Sequence, residues 1–335
     1  MSATATAPRL TLGLPVYNGE HFLAQSLEAL LAQTYSDFEL IISDNASTDR
    51  TAEIARHYQS IDPRVRYVHH SNNRGSTFNH NFVMQQARGE FFKWVSDDDL
   101  YAPDLLQRCI EALDSRPEIS LAHAWTAFID ENSKITEPVR YALTTDVPDP
   151  VERFRSVLYT DGGDDMYGVM RMSVLRQIAP FDSYHWADRT FVAELALHGP
   201  FHNEPDFLYF RRDHPMRTSR LGRNNIRLRC SRLDPARANR WRHPLVRLMG
   251  EYVLGFVSAV RRAPLSARDR RRCMKEVALW LASHANPRHQ RQAPESSEPD
   301  VLAEGAASLP TDPSVLVSAH QESASSLEHR KGNAQ

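Results

Sequence analysis

At 335 residues, with 41% hydrophobic and 24% charged side chains, the chain carries enough apolar material for one large domain with an extension, or for two domains of ordinary size. That composition excludes a fibrous or wholly disordered protein. The net charge of -2 conceals an asymmetry, because residues 211–272 hold 18 Arg and no Lys against Asp213, Asp234, Glu251 and Asp269, a surplus of 14 positive charges. Such a segment is either a solvated arginine-rich surface or a field that draws anions: lipid headgroups, nucleic acid or an anionic substrate.

The strand signals begin at residues 10–17, an apolar run broken by Pro15, and a helical spacing of Phe22, Leu23, Ser26, Leu27, Leu30 and Leu31 follows. A second strand is expected over 38–43, closed by Asp44-Asn45-Ala46-Ser47, which also caps a helix over 49–58. A third strand over 65–69 leads to a helix near 78–87. The fourth, 91–96, runs straight into Asp97-Asp98-Asp99. Strands alternating with helices in this way predict a parallel α/β sheet with right-handed crossovers, whose ligands sit at the carboxyl ends of the strands. Tyr17-Asn18, Asp44-Asn45 and the three aspartates all fall at such ends.

Pro103 opens a further helix to about 114, and 119–130 reads as a strand. From Thr136 the prolines 138, 148 and 150 predict loops, residues 187–199 a helix stopped by Gly199, and 207–210 a strand. Residues 221–289 form a basic helical extension. From 290 to 335 the composition turns to Ser, Glu, Pro, Ala and Gln and predicts a disordered tail.

Three adjacent carboxylates repel one another unless a counter-charge is near, and a divalent cation with hard oxygen ligands, Mg²⁺ or Mn²⁺, supplies one. An acidic cap for the helix at Pro103 is the alternative reading. Cys109, Cys230 and Cys273 are widely spaced and odd in number, which argues against a zinc or redox pair and fits a reducing cytosol. No secretory leader pattern is visible at the N-terminus. The apolar stretch 245–260, interrupted by Arg247 and Glu251, is shorter than the ~20 residues of a bilayer span. A cytoplasmic location with peripheral membrane contact is therefore expected.

The run LPVYNGEHFLAQSLEALLAQTYSDFELIISDNASTDRT, followed by NNRGSTFNHNFVMQQARGEFFKWVSDDD, resembles the family-2 glycosyltransferases of the GT-A fold over about residues 9–217. The resemblance implies a mostly parallel Rossmann-like sheet flanked by helices over 8–220, followed by the C-terminal helical extension. It implies that Pro15, Tyr17, Glu20 and Asp44 hold the nucleotide base, that Asn73 and Asn81, with Gly75, lie beside the donor, that Asp97 lies near the ribose and Asp98 also binds the nucleotide sugar, and that Asp99 lies on the metal. For Asn73, Gly75 and Asn81, turn and capping chemistry is the competing role.

In the second half, WADRTFVAELALHG resembles the region that carries the family's general base, which nominates Asp188. Ala187 stands where a glutamate usually precedes it, and Asp182 and Glu194 are rival carboxylates. FRRDHPMRTS resembles the family's closing motif, which assigns His214 to the metal and leaves Arg212 or Arg217 to neutralise phosphate.

The implied activity is inverting transfer of a sugar from a nucleotide-diphosphate sugar, UDP being the family-weighted choice, to a saccharide or lipid-linked acceptor in cell-surface polysaccharide synthesis. Residues 136–170, including Asp164, Asp165 and Met166, are expected to face the acceptor. An anionic membrane is a further expected partner, through Leu245, Leu248, Tyr252 and Phe256 on one helical face, and nucleic acid is not. Two rivals remain: a nucleotidyltransferase, against which the lack of a glycine-rich loop after the first strand argues, and a non-catalytic module binding polysaccharide or nucleic acid.

Overall fold

The computed structural model describes residues 7–160, 164–217 and 225–285. The first half alternates as the spacing predicts: β1 (Leu10–Val16), α1 (Leu23–Leu31), β2 (Phe38–Asp44), α2 (Thr51–Ile61), β3 (Val65–His69), α3 (Ser76–Gln85) and β4 (Phe91–Trp94). The chain continues through β5 (Leu100–Tyr101), α4 (Leu105–Ser115), β6 (Leu121–Ile129), β7 (Ile135–Val139), α5 (Pro150–Tyr159), β8 (Val169–Arg171) and the short α6 (Met172–Leu175). Last come α7 (Ala187–His198), β9 (Phe201–Arg212), α8 (Ile226–Leu233), α9 (Leu245–Arg262) and α10 (Ala267–Ala285).

All the described strands join one mixed sheet in the order β3-β2-β1-β4-β8-β6-β9-β5, with β7 on the outside of β6. β3, β2, β1 and β4 run parallel, so their carboxyl ends open on one edge. β8 reverses direction between β4 and β6, and β6 then pairs in parallel with β9. β1 and β2 are buried almost throughout, as central parallel strands covered on both faces must be.

The second half departs from expectation in four places. Residues 135–139 and 169–171 are strands and 150–159 a helix, where prolines predict loops. Pro150 sits in the first turn of α5, where its missing N–H costs nothing, and Asp149 caps that helix by accepting from Val151 N–H at 2.9 Å. β9 is much longer than the predicted 207–210.

Two cores cover the two faces. One packs α1 and α4 against the sheet, the other α3, α5 and α7. Tyr252, Phe256, Ala259 and Val260 of α9 and Cys273, Val277 and Trp280 of α10 belong to the second core. The face expected to meet a membrane is thus mostly inward: Leu248, Tyr252 and Phe256 are buried, and only Leu245 is exposed. The reason is that α9 lies on α7, tied by Arg262 to the buried Glu194 carboxylate at 2.7 Å. The tail over 290–335 lies outside the described residues.

Candidate active site at the carboxyl ends of the strands

The loops leaving β1 and β2 are sewn to each other. Asn18, in a left-handed conformation with φ 56°, accepts from Thr48 N–H at 2.9 Å, and its own N–H donates to Ser47 Oγ at 2.9 Å. Glu20 N–H donates to Asp49 and Glu20 Oε2 accepts from Arg50 N–H at 3.1 Å. Tyr17 stands half-exposed beside this seam, just past Pro15 of β1. A Cβ at Gly19 would meet the Asp97 carboxylate and the Val16 side chain, so a larger residue there would require them to shift.

Asp97, Asp98 and Asp99 leave β4 together and diverge. Asp98 Oδ2 lies 3.0 Å from His214 Nε2, although 116 residues separate them, and Ser96 Oγ donates to its other oxygen. Burial would raise this carboxyl, but the bonds from His214 and Ser96 outweigh it and hold it below the usual range. Asp99 turns inward, where it accepts from the Tyr209 hydroxyl and, at 2.9 Å, from Arg212 N–H. Burial and the charge of Asp98 push it up to about 6. Asp97 is raised well above its ordinary value by burial and the same neighbour.

The arrangement thus differs from the sequence expectation: His214 is brought to Asp98, while both oxygens of Asp99 serve the packing of β9. Two ligands at right angles around an ion with bonds of about 2.1 Å lie about 3 Å apart, which is the Asp98–His214 separation. Among the described residues no group of three or more His, Cys, Asp or Glu could hold a metal ion. A pair plus ligands from a diphosphate and water suits Mg²⁺ or Mn²⁺, which rarely sit in an all-protein cage. The residues present therefore fit a divalent cation.

Other expected site residues make hydrogen bonds within the protein. Arg212 is fully buried: Nε donates to Asp98 O at 2.8 Å, Nη1 to Asp130 O at 2.9 Å and Nη2 to Gln25 Oε1 at 3.1 Å. It is a strut under the aspartates rather than an open phosphate arm. Arg217, whose Nη1 donates to Arg212 O at 2.7 Å, lies close enough to lower both Asp98 and Asp99.

Asp44 is wholly enclosed and accepts from Tyr67 OH at 2.7 Å and Ser47 N–H at 2.8 Å, with His69 Nδ1 at 3.1 Å. Burial acts to raise it, yet those bonds keep it low. Asn73 accepts from Asn45 and from Gly75 N–H, a turn role, and Gly75 itself sits at φ 89°. Asn81 spends its amide on the backbone of Phe181, donating to O at 2.7 Å and accepting from N–H at 2.9 Å.

That last pair has a consequence for Asp188. It fastens the segment before α7 to α3, and Thr77 Oγ1 reinforces it by donating to Asp182 O at 3.1 Å. Trp186 caps α7 in a left-handed conformation, φ 63°, rare for a bulky residue, with its ring against His185 and Tyr252. Asp188 follows in the first turn, half-buried, with Oδ1 accepting from Arg189 N–H at 3.0 Å. Of its rivals, Glu194 is locked in its pair with Arg262, and the exposed Asp182 lies 3.4 Å from Arg237.

A cavity of about 290 Å³ opens at the start of β8, between β4 and β6, with Lys93, His123, Trp125, Tyr141, Asp165 and Tyr209 in its wall. Lys93 is buried, donates to Tyr167 O, and is lowered by that burial to about 8. Burial likewise pushes His123 down to about 3, so its ring is neutral, and among the described residues His123 Nε2 and Trp125 Nε1 are buried without a hydrogen-bond partner. Two signals in the sequence point here: the segment 136–170, which supplies Tyr141 and Asp165, and a lysine inside the apolar run FFKWVS.

The family model for glycosyl transferase family 2 matches residues 11–178. An uncharacterized glycosyltransferase of Methanocaldococcus jannaschii is 30% identical over 130 residues, 38% of this chain and 45% of that protein. The putative teichuronic acid biosynthesis glycosyltransferase TuaG of Bacillus subtilis is 28% identical over 121 residues, 36% of this chain and 47% of that protein. The chain therefore spans less than half the length of these two relatives. In fold it is similar to S. aureus TarS 1-349, solved with UDP-GlcNAc, at a TM-score of 0.51 and 14% identity over 83% of this chain and 91% of that one. With half of its length matched by the family model, and with strands and helices arranged as in that neighbour, the chain belongs to glycosyl transferase family 2 and has the GT-A fold.

Proposed function

We propose that the protein is an inverting, metal-dependent glycosyltransferase that moves a sugar from a nucleotide-diphosphate sugar, with UDP as the nucleotide, to a hydroxyl of a saccharide or lipid-linked acceptor. The observation that carries this reading is the meeting of Asp98 with His214 at 3.0 Å at the carboxyl end of a central parallel strand. Asp98 and His214 would hold the cation, and a cation there offsets the negative charge that gathers on the departing diphosphate. Arg217 adds a guanidinium on the same side. Tyr17 and Glu20, on the seam after β1, are placed for the nucleoside, with the buried Asp44 propping the loop behind them.

Asp188 takes the proton from the acceptor hydroxyl as that oxygen attacks the sugar carbon and the bond to the diphosphate breaks. A single displacement of this kind inverts the anomeric centre and leaves no sugar on the enzyme. A nucleotidyltransferase would need a glycine-rich phosphate loop after β1, where Tyr17-Asn18-Gly19-Glu20 stands instead. The likeness to TuaG supports a role in cell-surface polysaccharide synthesis.

The test is thermal unfolding with UDP-, TDP- and GDP-sugars, each with and without Mn²⁺. A ligand that binds only the folded protein raises the midpoint, so one nucleotide sugar should do so when Mn²⁺ is present and much less when it is absent. No shift with any donor would remove the reading.

The acceptor is placed in the cavity walled by His123, Trp125, Tyr141 and Asp165. Aromatic faces with unsatisfied polar edges suit a sugar ring, which offers both hydroxyls and apolar C–H patches. Trp125→Ala should raise the acceptor KM about tenfold, the worth of one stacking contact with a hydrogen bond, and leave hydrolysis of the donor by water unchanged. Equal loss of both rates would place Trp125 in the scaffold instead.

A further inference from the structure

The outward face of α9 presents a feature the transfer reaction does not use. Trp241, just before the helix, is 96% exposed, and Val246 is 84% exposed, with Met249 at 59% and Leu245 at 50%. On a helix these residues cluster, since 245 and 249 are four apart and 246 and 249 three. Arg240, Arg242 and Arg247, all exposed, flank them. The opposite face of the same helix holds Leu248, Tyr252 and Phe256 in the core, so the outward side chains are displayed on a fixed support.

We propose that this lip, Trp241 with Leu245, Val246 and Met249, docks the protein on an anionic lipid surface. An indole next to aliphatic side chains, ringed by guanidinium groups, matches the layering of a bilayer interface: the ring at headgroup depth, the aliphatic groups below it, the cations against phosphate. A second copy of the chain fits the patch poorly. Two-fold self-association brings the same patch on both partners together, so the arginines would face arginines. Four apolar side chains also fall short of the roughly 800 Å² per partner of a stable interface. Nucleic acid would use the arginines and leave the aliphatic groups without a function.

The lip is coupled to the site through Arg237, which precedes it by four residues. Arg237 Nε donates to Ser183 Oγ at 2.6 Å, and Nη2 lies 3.4 Å from Asp182, in the segment that leads to Asp188. Docking through the lip therefore fixes the orientation of the strand-end cleft relative to the surface, without any change of fold.

The experiment is flotation of the full chain with vesicles of phosphatidylcholine alone and of phosphatidylcholine mixed with phosphatidylglycerol. Partition into the mixed vesicles should be at least about tenfold stronger, since each basic residue near an anionic surface is worth about fivefold, and it should fade as salt is raised. Adding those vesicles should shift tryptophan emission to the blue in the parent and not in W241F. The triple variant W241S/V246S/M249S should unfold at the parent temperature, because the replaced groups are exposed, and lose about tenfold or more in partition.

Equal partition to neutral vesicles, or an unchanged triple variant, would overturn the proposal. So would a dimer in the absence of vesicles that the triple variant turns into monomers in sedimentation. No nucleotide, metal or acceptor enters the experiment, so its outcome is independent of the transferase reading.

Discussion

Asp188→Asn is expected to lower sugar transfer by about 10² or more, the scale of general-base loss, with donor and metal binding retained. The substitution keeps the size of the side chain and an oxygen for Arg189 N–H while removing the basic carboxylate. Hydrolysis of the donor in the absence of acceptor reads the same step, because the attacking water must also give up a proton. Donor affinity by calorimetry, set beside that rate, separates binding from chemistry.

The structure gives the two control variants different expected outcomes. Asp182→Asn, at an exposed carboxylate, should keep its rate. Glu194→Gln removes the charge that Arg262 meets at 2.7 Å, in a side chain only 4% exposed, so it should unfold at a lower temperature without a specific loss of rate. Parent activity in Asp188→Asn together with an inactive Asp182→Asn would move the base to the other end of the loop.

The first half of the fold was legible because each central strand is a short apolar run closed by polar residues, and burial on both faces demands that pattern. The second half hid its elements for physical reasons. β7 lies on the sheet edge with mostly exposed side chains and contains Pro138, so it carries no apolar run. β8 is three residues long and takes its stability from β4 and β6 on either side. The opening of α5 was written in Asp149-Pro150, a cap followed by a first-turn proline, and was obscured by the prolines around it.

The site shows a different limit. Which residue types gather at the strand ends can be read from the sequence, but which of their atoms remain open cannot. Arg212 and Asn81 look like ligand-binding groups until Asp98 O, Asp130 O and the backbone of Phe181 are found to occupy them. The same holds for the extension: the spacing of Leu248, Tyr252 and Phe256 establishes an apolar stripe, and only its packing with α5, α7 and α10 decides that protein, not lipid, covers it.

Asp98 and Asp99 are adjacent in sequence and opposite in expected effect. Asp98→Ala deletes the carboxylate beside His214 and should abolish Mn²⁺-dependent donor binding. Residues that merely orient a metal ligand are worth 10–100-fold in affinity, so loss of a ligand should cost at least about 100-fold. His214→Ala should behave alike, and the two losses together should be far from additive, since either removes half of the protein's share of one site.

Asp99→Asn, by contrast, keeps an oxygen for Tyr209 or Arg212 but not the charge, and disturbs the buried β9 contact. It should lower the unfolding midpoint by an amount corresponding to about 1–3 kcal/mol, the cost of leaving a buried donor poorly met, with Mn²⁺ affinity within a few-fold of the parent. Mn²⁺ titration in the presence of UDP, followed by electron paramagnetic resonance, reads affinity directly, and calorimetric unfolding reads stability. If Asp99→Asn loses Mn²⁺ while Asp98→Ala retains it, the metal belongs to Asp99 as the family resemblance implied, and the bonds from Tyr209 and Arg212 must give way when donor and cation bind.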